Sequence, residues 1–257
     1  MKTRAELKQE AKAALKGNWG WAIAISIIPT AVGGLGQFLG NGIADSIFPD
    51  SLDVEQVNYI ENLSASALSG IAVVAVLLML GYFGLTISSQ KGFLDLIRNR
   101  RKSVLATFKY TFTVRHFTRY LLLNILINIF TFLWTLLLII PGIIKGYSYS
   151  QANFIQMDAF EKQEKTSITS AITKSRELMD GHKWEFFVLQ LSFIGWAILA
   201  CLTFGIGFIW LTPYIGATNA AYYNQLLLEQ DGVALTTSSG DRDVTPQDLA
   251  EQNEVDF

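Results

Sequence analysis

Five stretches of this chain carry no Asp, Glu, Lys or Arg: residues 17–44, 62–90, 120–144, 146–157 and 186–228. A helix that crosses hydrocarbon needs about 20 mostly apolar residues, because every backbone polar group must be satisfied within the segment. Three of the stretches fit one span each, the last is long enough for two, and the fourth is short. A soluble all-α protein rarely runs a buried helix that far without a charge. At 16% charged and 51% hydrophobic, the chain departs from soluble domains, of which about a quarter is charged. The sequence therefore predicts an all-α, polytopic transmembrane helical bundle.

The remaining residues order the spans. Residues 2–16 are basic, with Leu7, Ala11, Ala14 and Leu15 on one face, the spacing of an amphipathic helix that can lie in the headgroup plane. Gly17-Asn18 ends it, and Trp19 and Trp21 mark an interface. Gly42-Ile43-Ala44 loosely resembles a signal-peptide cleavage site, but the apolar run before it exceeds the usual h-region of about 7–15 residues. An uncleaved first span over about 20–40 is expected. A second follows over 66–89, where Gly81 and Gly84 mark either close helix approach or a kink. The third, 120–140, ends at Pro141-Gly142, since proline cannot continue a helix. Residues 143–157 form either a tilted fourth span or a re-entrant segment. Spans five and six cover 184–204 and 208–228, joined by a tight turn at Gly205-Ile206-Gly207. The tail, 229–257, is acidic and rich in Ser, Thr and Gly, and reads as disordered.

Basic residues set orientation. With the N-terminus inside, every Lys and Arg except Lys145 falls on the cytoplasmic face, and the outer loop 41–63 has none. This favours six spans, since a re-entrant 143–157 would put the basic loop 158–183 outside. The expected localisation is the plasma membrane, multi-pass, with both termini cytoplasmic. The plan is three hairpins, each preceded by a cytoplasmic amphipathic helix. Leu15-Lys16-Gly17-Asn18-Trp19 resembles Met179-Asp180-Gly181-His182-Lys183-Trp184, and Tyr/Asn-rich helices follow both later turns.

The chemistry-bearing residues are few. The loop 91–119 is strongly basic, and Arg98, Arg100, Arg101, Lys102 and Lys109 are candidate contacts for anionic lipid headgroups. A basic loop between spans is what topology demands, so nucleic acid is not the expected partner. No Asp, Glu or Arg falls in the middle of an expected span, so the buried charge that marks many transporters is missing. Asn124, Asn128, Asn153, Gln190 and Asn219 remain as a candidate polar interior, either a path or headgroup pocket, or interhelical hydrogen bonds. His116 and His182 lack partners at catalytic or metal-binding spacing, Cys201 stands alone, and no phosphate-binding loop occurs. Nothing argues for catalysis, a cofactor or a metal.

Several blocks resemble a known family. They are Leu15-Lys16-Gly17-Asn18-Trp19, Ile140-Pro141-Gly142-Ile143-Ile144 with Tyr147-Ser148-Tyr149, Ser175-Arg176-Glu177-Leu178-Met179-Asp180-Gly181-His182-Lys183, Leu191-Ser192-Phe193-Ile194-Gly195-Trp196, Gly205-Ile206-Gly207 and Pro213-Tyr214. In this order they are similar to a bacterial integral membrane protein family, domain of unknown function 975, over about residues 3–228. The resemblance implies a multi-pass plasma-membrane protein and carries no functional residues. A more distant likeness in plan, to the membrane portion of glycerophosphodiester phosphodiesterases, points to lipids. The expected function is a non-enzymatic organiser of the envelope or its lipids. The alternatives are a carrier or flippase for a lipid or small amphiphile, and a membrane-embedded enzyme or enzyme partner.

Overall fold

The computed structural model describes residues 2–47, 65–164 and 167–240. Among these residues the chain is all helix. In order the helices are α1 (Arg4–Leu15), α2 (Trp19–Ile47), α3 (Ala65–Ile97), α4 (Val104–Lys109), α5 (Val114–Leu137), α6 (Ile139–Tyr149), α7 (Ala152–Glu161), α8 (Ile168–Leu178), α9 (Lys183–Leu202) and α10 (Phe208–Gly240). Four stretches are long and apolar enough to cross a membrane: Trp19–Gly42, Ser69–Ile97, Arg115–Leu137 and Lys183–Leu202. The protein is a multi-pass membrane protein.

Consecutive long helices pack on one another. Ser89 Oγ donates to the Ile25 carbonyl, and the Tyr82 ring lies where a side chain on Gly33 would go, so α2 and α3 run antiparallel. Gly33 thus provides the close approach that small residues allow in membranes. α6 and α7 return along α5: Phe130 meets Tyr149, Asn124 meets Asn153, and Tyr120 meets Phe160. α9 and α10 pair through Phe193 with Tyr214 and Phe186 with Tyr222.

Burial is uneven along these pairs. Tyr120, Leu123, Met157, Met179, Leu189 and Tyr222 are almost fully buried at one end of the molecule. Phe38, Met79, Phe132, Leu136, Ile140, Ile198, Leu202 and Phe204 are exposed along the rest. In water such apolar surface would be a liability, whereas lipid is its natural solvent. The core sits at the charged end, and the exposed apolar surface of the four long apolar helices suits a bilayer.

Several element boundaries differ from expectation. The second helix runs past residue 89 to Ile97, carrying Lys91 and Asp95 inside the fold. The third apolar helix ends at Leu137, not at 140: the break is Leu138, in extended backbone, and Pro141 lies in the first turn of α6. Proline suits that position because its absent N–H would have had no helical partner. Residues 143–157 are not one helix, since a turn at Ser150-Gln151 divides α6 from α7. α10 continues through Gly240, so the first part of the tail expected to be disordered is helical. The rest of the tail and most of the stretch 41–63, expected as an outer loop, lie outside the described residues. The basic loop 91–119 is divided among α3, α4 and α5, with Asn99 at φ 55° in the connection between α3 and α4.

The N-terminal helix, expected over residues 2–16, runs from Arg4 to Leu15. Thr3 accepts from the Glu6 amide and Glu6 accepts from the Thr3 amide, a capping box that satisfies two otherwise orphaned donors. Its apolar face is not offered to lipid. Leu7, Ala11 and Leu15 are buried against α10 and α3. Gly17 and Gly181, at φ 78° and 77°, turn the chain into α2 and α9, a left-handed conformation that glycine adopts without strain. The two similar sequence junctions are therefore similar turns.

Candidate functional site

Three polar assemblies interrupt the apolar helices, and each follows from where a helix ends or crosses another. The first is ionic. Because α3 extends to Ile97, Lys91 lies 2% exposed between Asp95 and Glu161, hydrogen-bonded to both. Two turns beyond Lys91, Arg98 grips Asp158 with two parallel hydrogen bonds, 2.6 and 2.9 Å long. Tyr223 donates to the same carboxylate at 2.8 Å, and Asn224 accepts from Arg98 at 3.3 Å. Arg100 reaches Glu161 at 3.1 Å, and Lys102 lies 3.7 Å from Asp95. Burial alone would raise the Glu161 carboxyl, but the Lys91 hydrogen bond and charge, helped by Arg100, hold it below its ordinary value. The charges pair off and join α3, α7 and α10. Such a cluster acts as a clamp, since charges so placed persist only when paired and hydrogen-bonded.

The candidate headgroup contacts are placed differently by this network. Arg98, Arg100 and Lys102 face acidic partners of the protein, and Arg101 donates to Asn18 Oδ1 at 2.7 Å. Lys109, in the last turn of α4, is exposed.

The second assembly is a layer of amides beside the clamp. Asn124 Nδ2 donates to Asn153 Oδ1 at 3.0 Å, and Asn153 Nδ2 to Gln90 Oε1 at 3.3 Å, linking α5, α7 and α3. Gln190 Nε2 donates to Asn219 Oδ1 at 2.7 Å, linking α9 and α10. Four of the five residues expected in the polar interior are thus brought together in pairs. Asn128 is not, for it is exposed and donates to the Asn124 carbonyl of its own helix. Gln90 and Gln151 complete the layer and were missed by sequence reasoning. A cavity of about 460 Å³ lies between the two linked groups, with Gln90, Gln151, Gln190 and Asn219 in its wall.

The third assembly is a groove of about 830 Å³ where α1 meets the α9–α10 pair. Lys8, Lys12 and Lys16 form one side, and Trp196, Leu199, Trp210 and Leu211 the other. Lys8 Nζ stands 4.4 Å over the Phe193 ring, and Lys12 Nζ 5.6 Å over that of Tyr214. No described acid lies within 4.0 Å of Lys8, Lys12 or Lys16. Burial, with the like charges of Arg4 and Lys12, holds the Lys8 ammonium below its ordinary value. Lys8 and Lys12 on α1 and Lys16 just past its end, spaced four apart, face an apolar wall with no counter-charge among the described residues. No signal in the sequence alone pairs the two, because they lie about 190 residues apart in the numbering.

No cluster of three or more His, Cys, Asp and Glu side chains suited to a metal occurs among the described residues. No curated protein and no solved structure matches the chain. A family described as protein of unknown function, DUF975, matches it over residues 1–144 and 135–230. This match covers most of the length, and the chain, with its four helices long and apolar enough to cross a membrane, belongs to the DUF975 family.

Proposed function

We propose that this protein is a non-enzymatic, lipid-associated component of the plasma membrane that holds anionic lipids in the groove between α1 and the α9–α10 pair. One observation carries the reading: Lys8, Lys12 and Lys16 face Trp196, Leu199, Trp210 and Leu211 without a described acidic partner. A phosphate or carboxylate headgroup supplies the missing charge, and its acyl chains match the apolar wall. α1 is docked by its own apolar face, so its lysines are held in place.

The orientation that fits this reading has both termini and the ionic clamp in the cytoplasm. Three helix pairs then enter the bilayer from that side, for six passages in all. Lys145, whose ammonium lies 4.8 Å from the Trp134 ring, is near the outer surface, where a lysine snorkels and tryptophan anchors. The basic residues of the loops face an anionic leaflet.

Native mass spectrometry of the purified protein in mixed anionic and zwitterionic lipid tests the reading. Preferential retention of anionic lipid is expected. At about 1 kcal/mol per lysine, the Lys8→Gln, Lys12→Gln double variant weakens that retention about thirtyfold. Equal retention of both lipid classes by the unaltered protein contradicts the proposal.

A second reading, a carrier for a lipid or small amphiphile, is favoured by the amide-lined cavity between α3, α6, α7, α9 and α10. A protein that only organises its surroundings has no need of that space. Transfer of labelled lipid between the leaflets of proteoliposomes distinguishes the two.

A further inference from the structure

We infer that the amide-lined cavity is a binding site for an uncharged, hydroxyl-rich group, such as the sugar or polyol headgroup of a neutral lipid. It is separate from the lysine groove and independent of it.

The polar part of the cavity wall is uncharged. Gln90, Ser150, Gln151, Gln190 and Asn219 contribute its polar side chains, and no Asp, Glu, Lys or Arg lines it. Gln151 is 1% exposed; its Nε2 donates to Ser150 Oγ at 2.9 Å, but its buried Oε1 has no partner. An amide oxygen left so is costly, by about 1–3 kcal/mol, and a bound group removes the cost. The layer's own bonds also leave the far atom of each neighbouring amide unserved. Gln90 Nε2, Gln190 Oε1 and Asn219 Nδ2 make no hydrogen bond to the described protein.

That set of leftover atoms selects the ligand. It contains amide donors and amide oxygen acceptors, and it stays mixed if any amide is turned over. A cation needs acceptors only, and an anion needs donors only. A hydroxyl both donates and accepts, so a group bearing several hydroxyls satisfies every position. Phe93, Tyr147, Phe154 and Phe186 complete the wall, and ring faces suit the apolar C–H side of a sugar. The volume of about 460 Å³ lies in the range of small-ligand pockets, about 300–1,000 Å³. Ile143 at the cavity is itself 52% exposed on the flank of α6, which gives the headgroup a route in from the bilayer.

The test measures ligand retention and thermal stabilisation of the full chain in detergent. The probes are a glycosyl diacylglycerol, plain diacylglycerol and the free sugar. Retention of the glycosyl lipid at least about tenfold above diacylglycerol is expected, with a matching rise in melting temperature. The Gln151→Leu, Gln190→Leu variant loses this preference, whereas Lys8→Gln, Lys12→Gln keeps it. If the free sugar alone stabilises the protein as well as the lipid does, the site takes a soluble polyol and the chemistry stands. Equal retention of glycosyl lipid and diacylglycerol, with no stabilisation by the sugar, overturns the inference. If the Leu variant fails to fold, the comparison of probes on the unaltered protein decides alone. Loss of anionic-lipid preference with glycosyl-lipid preference intact would sink the groove proposal and leave this one standing.

Discussion

Arg98 and Asp158 face each other across α3 and α7 in a two-pronged grip, 2.6 and 2.9 Å, and Tyr223 of α10 closes on the same carboxylate at 2.8 Å. Three helices from distant parts of the chain are therefore tied at one point. Arg98→Ala leaves Asp158 short of its partner, and removing one member of a buried pair costs about 3–5 kcal/mol. The pair here is somewhat exposed, so the lower end applies. Arg98→Lys recovers only part of the loss, because an ammonium cannot reproduce the fork. Melting temperature in detergent checks the order: unaltered, then Lys, then Ala.

The clamp also makes the fold acid-sensitive. Glu161, lowered by Lys91 and Arg100 from its ordinary value of 4.5, binds its proton less readily when folded than when unfolded. Its contribution is thus fully present above the unfolded value and is lost as pH falls through the lower folded value. Stability falls below pH about 4.5, and Glu161→Gln makes that fall shallower while lowering stability at neutral pH. Unfolding midpoints measured from pH 3 to pH 8 check both effects.

Gly216 is the seat of Phe93. A methyl group there would stand 2.6 Å from the Phe93 ring, too close for any real contact. Gly216→Ala therefore pushes α10 off α3 and destabilises by about 1–3 kcal/mol, the usual cost of overpacking. Phe93→Leu in the same chain restores part of it, because the shorter side chain leaves room. A double-mutant cycle on the melting temperature reads the coupling.

α1 is docked by packing, as the near-complete burial of Leu15 shows. Leu15→Ala opens a cavity worth about 2–5 kcal/mol at the α1 contact. Freed from α10 and α3, residues 4–15 lose amide protection, measured by hydrogen exchange. Unchanged protection in the variant would mean that the membrane surface, not the protein, holds this helix.

Charge-free runs in the sequence are enough to locate the apolar helices, because each needs an uninterrupted stretch to satisfy hydrocarbon. Glycine turns at Gly17, Gly181 and Gly205 are legible for a related reason: all three take positive φ. Helix ends are less so. Lys91 looks like the end of a span, and only Asp95 and Glu161, the latter seventy positions away, make its burial tolerable. Pro141 looks like a stop signal, yet proline is equally suited to a first turn, and the real break falls at Leu138. Asn124, Asn153, Gln190 and Asn219 stand out as amides in apolar surroundings. Gln90 is hidden by its charged neighbour Lys91, and Gln151 by the helix break beside it. The groove is the hardest to read, since its basic and apolar walls come from opposite ends of the chain.

A photoactivatable anionic lipid, incorporated with the protein into vesicles and mapped by peptide sequencing, tests the lipid-binding account most directly. The account predicts crosslinks concentrated in residues 5–19 and 196–214, which line the groove, and their loss when excess unlabelled anionic lipid competes. Crosslinks spread evenly over the lipid-facing helices, or gathered on residues 98–109 instead, would contradict it.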